Sequence, residues 1–333
     1  MKEKILTILR EADGYVSGQE LCEQLHVSRT AVWKVIGQLK EEGYEVEAVK
    51  NRGYRLMSVP DVMTGAEIQS RLHTKVMGHP CICCEEVDST NTRAKKMAEE
   101  GAAEGLLICA EKQTEGKGRR GRAWNSPPGE SVYMTLLIRP RIQPAHASML
   151  TLVMGLAVAQ ACNWLLEDTL GEQAPKVGLK WPNDLVLDGR KLMGTLTEMN
   201  SEIDYINYVV IGTGINVNTT SFPEALAGTA TSLYRETGRT FSRAELTALC
   251  MDYFEEDYEM FLKTEDLSGL RESYNGLLVN AGRTVCVLEP GHEYTGMALG
   301  INERGELLVK REDGTVTEVY AGEVSVRGVY GYV

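Results

Sequence analysis

The sequence predicts three unlike units in a row: a winged helix-turn-helix at residues 1–60, a central α/β (α+β) domain over about 64–275, and a small β-barrel over about 279–333. Three observations predict it. Apolar residues recur at helical spacing before residue 40 and then alternate around a turn. A long middle segment mixes apolar strands with helical stretches. The tail is a series of short strands cut by Gly, Asn-Glu-Arg-Gly and Asp-Gly turns.

In the first unit, Ile5, Leu6, Leu9 and Ala12 share one helical face, as do Leu21, Cys22 and Leu25. After a short turn, Val32, Val35, Ile36 and Leu39 form a third stripe, with Ser28 placed to cap its start. "YEVEAVKNRGYRL" (44–56) then alternates around Asn51-Arg52-Gly53, the pattern of a β-hairpin. Residues 1–60 hold nine Lys/Arg and nine Asp/Glu, so the whole net charge of −12 lies in the rest of the chain. Within that neutral unit, 26–40 and 48–56 carry cations and no acid. A cationic third helix and wing suit phosphate contacts, with Ser28, Arg29, Thr30 and Lys34 facing a major groove and Lys50 and Arg52 on the wing. Trp33 either joins them or packs, and a winged helix can also serve protein contact.

Strands "LLICA", "VYMTLLI" and "YVVIGTGINV" and helices at "NTRAKKMAEEG", 147–166 and "RAELTALCMDYFEEDYEMFL" make up the middle. Residues 147–166 carry no charge and have the length of a membrane span. They include Ser148, Thr151, Gln160 and Asn163 and stand alone, which favours a buried core helix over a membrane partner. The charged N-terminus lacks a secretory core, and eight cysteines are too sparse for a disulfide scaffold, so a reduced, cytoplasmic setting is expected. In "CICC" (81–84), Cys81 and Cys83 alternate as on a strand, and no CxxC pair or clustered histidine completes a tetrahedral set, so no metal is expected there.

"GKGRRGRAW" (116–124) packs four cations and three glycines into a loop that suits neither helix nor core. It lacks Walker A spacing, and "GTGINVN" (212–218) lacks the third glycine of a dinucleotide fingerprint. Glycines let backbone N–H groups approach an anion while Lys117, Arg119, Arg120 and Arg122 supply charge-assisted hydrogen bonds; a solvated loop or a nucleic-acid contact are the alternatives. "KWPNDL" (180–185) sets Lys180, Asn183 and Asp184 around a bend, and a return strand through "RKLMGTLTE" brings Lys191 beside them. Ser89, Thr90 and Asn91, at a helix start, read either as caps or as hydrogen-bonding groups for a small polar ring.

In this order, Ser89-Thr90-Asn91, "KQTEGKGRRGRAW", "KWPNDL", "RKLMG", "GTGINVN" and "ATSL" (230–233) resemble the biotin–protein ligases. With the winged helix the chain is similar to the bifunctional kind that also represses biotin genes, and its tail, ending "GEVSVRG", is similar to that family's SH3-like domain. The resemblance implies a multidomain fold with a central domain of the biotin/lipoate ligase type. Two positions depart from the family pattern: Lys117, where Arg is usual, and Thr195, where an aliphatic residue is common. Lysine keeps the charge but not the bidentate geometry.

That resemblance implies a reaction in two halves. Biotin and ATP, with Mg²⁺, give biotinoyl-5'-AMP and pyrophosphate, and a lysine of a biotin carboxyl carrier protein domain then takes the biotinoyl group. It implies that Ser89, Thr90, Asn91 and Gln113 hold the ureido ring and that Lys117, Gly118 and Arg119 close over carboxylate and phosphate. Lys191 bridges the two anions. Trp124, Asn183 and Asn216 line the nucleotide side, and Asp184 binds Mg²⁺ or orients the incoming lysine. Arg119, Lys191 and Asp184 are thus the catalytic candidates. It further implies operator DNA as a partner, biotinoyl-AMP as corepressor and a homodimer formed on ligand binding. The rivals are a repressor that binds biotin without ligating, against which the full cation set argues, and a lipoate ligase.

Overall fold

Local sequence signals set the elements of the head in a computed structural model, which describes residues 1–288, 293–320, the backbone of 325–328, and 332. Helices α1 (Lys2–Glu11), α2 (Gly18–Leu25) and α3 (Arg29–Glu41) are followed by strands β1 (Glu45–Val49) and β2 (Gly53–Ser58). Ser17 and Ser28 accept from the backbone N–H groups of Glu20 and Ala31, capping α2 and α3. Ile5, Leu6, Leu9, Leu21, Val32, Val35, Ile36 and Leu39 close a separate small core. Gly53, at φ +114°, lies where any Cβ would meet the Val16 carbonyl oxygen at 2.0 Å, and there β2 touches the turn before α2.

The central domain runs through α4 (Gly65–Gln69), β3 (Cys81–Val87), α5 (Thr90–Glu99), β4 (Leu107–Gln113), β5 (Ser131–Ile138), α6 (Met149–Leu170), β6 (Gly178–Lys180), β7 (Asp184–Leu187), β8 (Arg190–Ser201), β9 (Ile206–Asn216), α7 (Leu233–Thr237), α8 (Arg243–Thr264) and α9 (Arg271–Leu277). Seven strands form one sheet in the order β3-β4-β5-β9-β8-β7-β6, parallel between β3 and β4 and antiparallel elsewhere. Helix α6 is long and apolar enough to cross a membrane by length and composition, but most of it is buried among sheet residues and α8. Each large apolar side chain so buried contributes about 1.5–3 kcal/mol, which accounts for a helix apolar on all sides in a protein core. Helix α5 covers the opposite sheet face through Ala94 and Ala98, against Ile108, Leu137 and Val210.

The tail forms an antiparallel five-stranded sheet from β10 (Thr284–Leu288), β11 (Tyr294–Ile301), β12 (Leu307–Lys310), β13 (Val316–Val319) and β14 (Ser325–Gly328), in the order β13-β12-β11-β10-β14. Residues 321–324, between β13 and β14, lie outside the described residues. All eight cysteines are free thiols.

Two ionic clusters join the head to the central domain. The fully buried Glu67 of α4 accepts from Arg10 (3.0 Å), Tyr44 (2.8 Å) and Arg71 (2.9 Å). Burial comes first in raising the Tyr44 phenol well above its ordinary value, and the Glu67 charge adds to it. Asp61, in the connection, accepts from the Arg243 guanidinium at 2.9 Å, and Arg243 reaches Glu111 of β4 at 2.7 Å. Burial lowers the Arg243 guanidinium, but these two carboxylates outweigh it and hold the group above its ordinary value.

Candidate active site

The antiparallel pairing of β8 with β9 puts Gly194 opposite Gly214 and Leu196 opposite Gly212, which leaves a bare patch on the sheet. These glycines are required by what lies over them. A Cβ on Gly212 would stand 2.0 Å from Asn91 Oδ1, and one on Gly214 would stand 2.5 Å from the Trp124 indole. The side chains of α5's first turn and of the basic loop can therefore lie against the strand backbone.

A narrow slot opens over that patch, lined by all eight residues expected to contact biotin: Ser89, Thr90, Asn91, Gln113, Lys117, Gly118, Arg119 and Lys191. Its polar groups are bonded to one another. Thr135 donates to Asn91 Oδ1 (2.7 Å), and Asn91 donates to Glu198 (2.7 Å) and to the Leu196 carbonyl (3.2 Å). The Gln113 side-chain oxygen accepts from the Thr90 backbone, and its amide donates to Ser126 Oγ. Burial alone would raise the Glu198 carboxyl, but hydrogen bonds from Lys95 and Asn91 hold it below its ordinary range, so it stays an anion that fixes the Asn91 amide. Ser89 occupies the N-cap of α5 yet makes no side-chain cap bond, which leaves its hydroxyl for another partner. Thr213 Oγ1, buried in the slot wall, has no hydrogen-bond partner.

A second cavity of about 700 Å³ adjoins the slot, lined among others by Arg120, Arg122, Lys180, Asp184, Asn216 and Tyr332. Slot and chamber share five residues: Gly118, Arg119, Trp124, Asn183 and Lys191. At that junction Arg119 donates to Asn183 Oδ1 (2.8 Å), and Lys191 donates to Asp184 Oδ1 (2.5 Å) below the Trp124 ring, 5.5 Å from its centroid. Burial pushes the Arg119 guanidinium below its ordinary value, and Asp184 opposes that. The loop is less irregular than its composition suggests. Gly118 N–H donates to the Arg122 carbonyl (2.7 Å), Lys117 pairs with Ala123, and Arg120 takes a left-handed φ of 58° in the single turn between them.

Asp184, the magnesium candidate, has both carboxylate oxygens engaged within the chain. One of its oxygens is engaged by Lys191 and the other by the Tyr332 hydroxyl. Among the described residues the only grouping of three or more metal-type ligands is three cysteines elsewhere. Magnesium is usually held by one or two carboxylates together with substrate phosphates and waters, so this lysine-paired carboxylate builds no closed site by itself.

The DNA candidates gather on another surface. Ser28, Arg29, Thr30, Lys34, Lys50 and Arg52 are all exposed along α3 and the wing. Ser28 Oγ is partly committed to its cap, and Arg29 donates to Gln19 at 2.9 Å. Trp33 is 69% exposed, so the packing alternative for it does not hold within this chain.

Sequence reasoning missed several site residues. Thr213 lies inside "GTGINVN" and Glu198 ends "RKLMGTLTE", but neither was singled out, and Thr135 sits in a strand where no site residue was expected. No site residue was expected in the tail, yet Tyr332 touches Asp184, and Lys180 lies 4.1 Å from its ring centroid. No signal in the sequence pointed to it. Thr195, one of the two departures, turns its hydroxyl to Met193 sulfur (3.4 Å) while its backbone bonds Asn183.

Comparison with known proteins gives three profile matches: the HTH domain at residues 2–55, the Biotin/lipoate A/B protein ligase family at 83–216 and the Biotin protein ligase C terminal domain at 281–327. The chain is 36% identical to the Bifunctional ligase/repressor BirA of Bacillus subtilis, covering 98% of each, and 31% identical to that of Escherichia coli, covering 97% and 96%. A solved biotin protein ligase from Aquifex aeolicus, in complex with biotin and ATP, superposes with a TM-score of 0.64 at 29% identity, over 77% of this chain and all of that one.

Proposed function

The chain belongs to the family of bifunctional biotin–protein ligases and repressors, and from that premise we propose how its residues divide the work. It ligates biotin to protein at the expense of ATP and represses transcription through its N-terminal head. The observation that carries the division of labour is the set of five residues common to slot and chamber. Biotin lies in the slot and ATP in the chamber, so their reacting ends meet at Arg119, Lys191, Asn183 and Trp124.

The slot's hydrogen-bonded polar wall holds the ureido ring, with Ser89 and Thr213 as groups left to bond it. The valerate carboxylate then points at the junction. There an oxygen of the carboxylate attacks the α-phosphorus, the bond from that phosphorus to the bridging oxygen breaks, and pyrophosphate leaves. Two anions must approach, and their repulsion is largest where water is scarce. Lys191 and Arg119 offset it as fixed cations, Lys191 itself being held by Asp184 and the Trp124 ring. The neutral amine of a carrier-domain lysine then attacks the acyl carbon, the bond from that carbon to the phosphate oxygen breaks, AMP departs and the amine's proton goes to solvent. Asn216 and Trp124 line the nucleotide's side of the chamber. Magnesium would travel on the ATP phosphates rather than in a protein-built site, and Asp184 positions Lys191.

Repression follows from retention of biotinoyl-5'-AMP. When no unbiotinylated carrier consumes it, the loaded protein pairs into a homodimer and sets two cationic α3 helices on a two-fold operator. Two measurements test this reading. Pyrophosphate release with biotin and with lipoate in parallel should respond to biotin, and release with lipoate alone would overturn it. In a mobility shift, biotin plus ATP should tighten operator binding and added carrier should reverse it. Affinity indifferent to both would leave a ligase whose head works independently.

A further inference from the structure

Ligation and repression leave the "CICC" run of β3 without a role. Cys81 and Cys83 project from the same face of the strand, because strand side chains alternate with period two. The parallel register sets Cys83 beside Cys109 of β4. Two residues from one strand and one from its neighbour thereby bring three sulfurs together. All three Sγ atoms lie within 4.8 Å of one another, and Cys81 and Cys83 are 3.9 Å apart. Ligands at a metal–sulfur distance of about 2.3 Å stand roughly 4 Å from each other, so the sulfurs are already at coordination spacing. The sequence reading looked for CxxC spacing and missed a ligand that only the sheet register supplies.

We propose that Cys81, Cys83 and Cys109 form a three-thiolate site for one soft d¹⁰ metal ion, Cu⁺ or Zn²⁺. Thiolates select such ions over hard oxygen-seeking ones. Cys109 and Cys81 are buried, while Cys83 is partly exposed and gives the ion its way in. The fourth cysteine of the run, Cys84, projects from the opposite face and takes no part. Binding exchanges the thiol protons for the metal and releases them to solvent, with no change of oxidation state. The competing chemistry is a disulfide between Cys83 and Cys109, which would use two of the three sulfurs and need an oxidant.

The test uses the full-length protein kept reduced with a phosphine, and Cd²⁺ as the optical probe. Cd²⁺ should raise a thiolate-to-metal charge-transfer absorbance that saturates at one equivalent. Zn²⁺ and Cu⁺, added separately, should displace it, and the tighter competitor names the ion. Cys83→Ser, at the partly exposed position where folding is least at risk, should abolish the absorbance while circular dichroism stays unchanged. Cys84→Ser should keep it. No absorbance at one equivalent, or absorbance that survives both Cys83→Ser and Cys109→Ser, overturns the site. So does a reduced protein that ignores Cd²⁺ yet, with a mild added oxidant, gives up two electrons to it and two protons to solvent as a Cys83–Cys109 disulfide forms.

Discussion

The DNA-facing head and the ligand site are built for recognition in opposite ways. The head's six candidate residues come from one helix and one turn between 28 and 52, and every one is exposed. The ligand site gathers residues from stretches between 89 and 332, and Ser89, Thr90, Asn91, Thr195, Thr213 and Asn216 among them are buried. Attraction to phosphate acts over about 10 Å at ordinary salt, so cations standing in water suffice for the head. A small polar ligand asks for dipoles already aimed, and aiming them requires partners such as Thr135 and Glu198. A substitution in the head should therefore change one equilibrium, whereas one in the site should disturb a network.

The sharpest way to break that contrast is Lys191→Ala. It should slow pyrophosphate release by roughly 10²–10³-fold, the range for losing one preorganised charge-stabilising donor, and spare transfer from added biotinoyl-AMP. Equal loss in both half-reactions would make Lys191 a structural residue. Arg119→Gly should come next. Loss of one charge-assisted contact of about 1.5–3 kcal/mol should speed release of biotinoyl-AMP roughly 10–150-fold in stopped-flow measurements. Gly212→Ala forces Asn91 off its partners, and a buried polar group left unsatisfied costs about 1–3 kcal/mol. The KM for biotin should rise roughly 5–150-fold while the KM for ATP changes little; a parallel rise in both would mean that the strands themselves had moved. The smallest effect belongs to the head. Lys34→Ala should leave adenylation untouched and shift stability by less than about 0.5 kcal/mol. It should lower the salt dependence of operator binding by about one counterion, read from the slope of log affinity against log salt.

The same contrast governs what could be read from the chain. The head was legible because its helices, caps and turn are local signals: Ser28 was placed as a cap from spacing alone, and it caps. The basic loop and Lys191 were legible because charge and glycine are conspicuous there. Thr135, Glu198 and Thr213 were not, since an ordinary threonine or glutamate acquires a role only from the β5–β9–β8 register. Tyr332 was least legible of all. Its contact with Asp184 spans 148 positions and depends on how the tail returns to the sheet. Magnesium or the incoming lysine on Asp184 came from the family resemblance alone, and its hold by Lys191 and Tyr332 could only be seen in the structure.

The Glu67 cluster bears on anyone who would treat the head as a detachable cassette. Two of the three donors on that carboxylate, Arg10 and Tyr44, belong to the head, and Val59, Val62 and Ala66 pack against the head's core. Trimming the chain to a minimal ligase would strip the carboxylate of both donors and lay Ala66, with Val62 where it is kept, open to water. The cutting point also matters within a few residues: a chain starting at 61 keeps the Asp61 that Arg243 holds, and one starting at 64 leaves Arg243 with Glu111 alone. A chimera with a foreign head would need its own arginine and phenol at the Arg10 and Tyr44 positions, or an apolar residue in place of Glu67. Portability here is decided at the seam rather than at the surface that meets DNA.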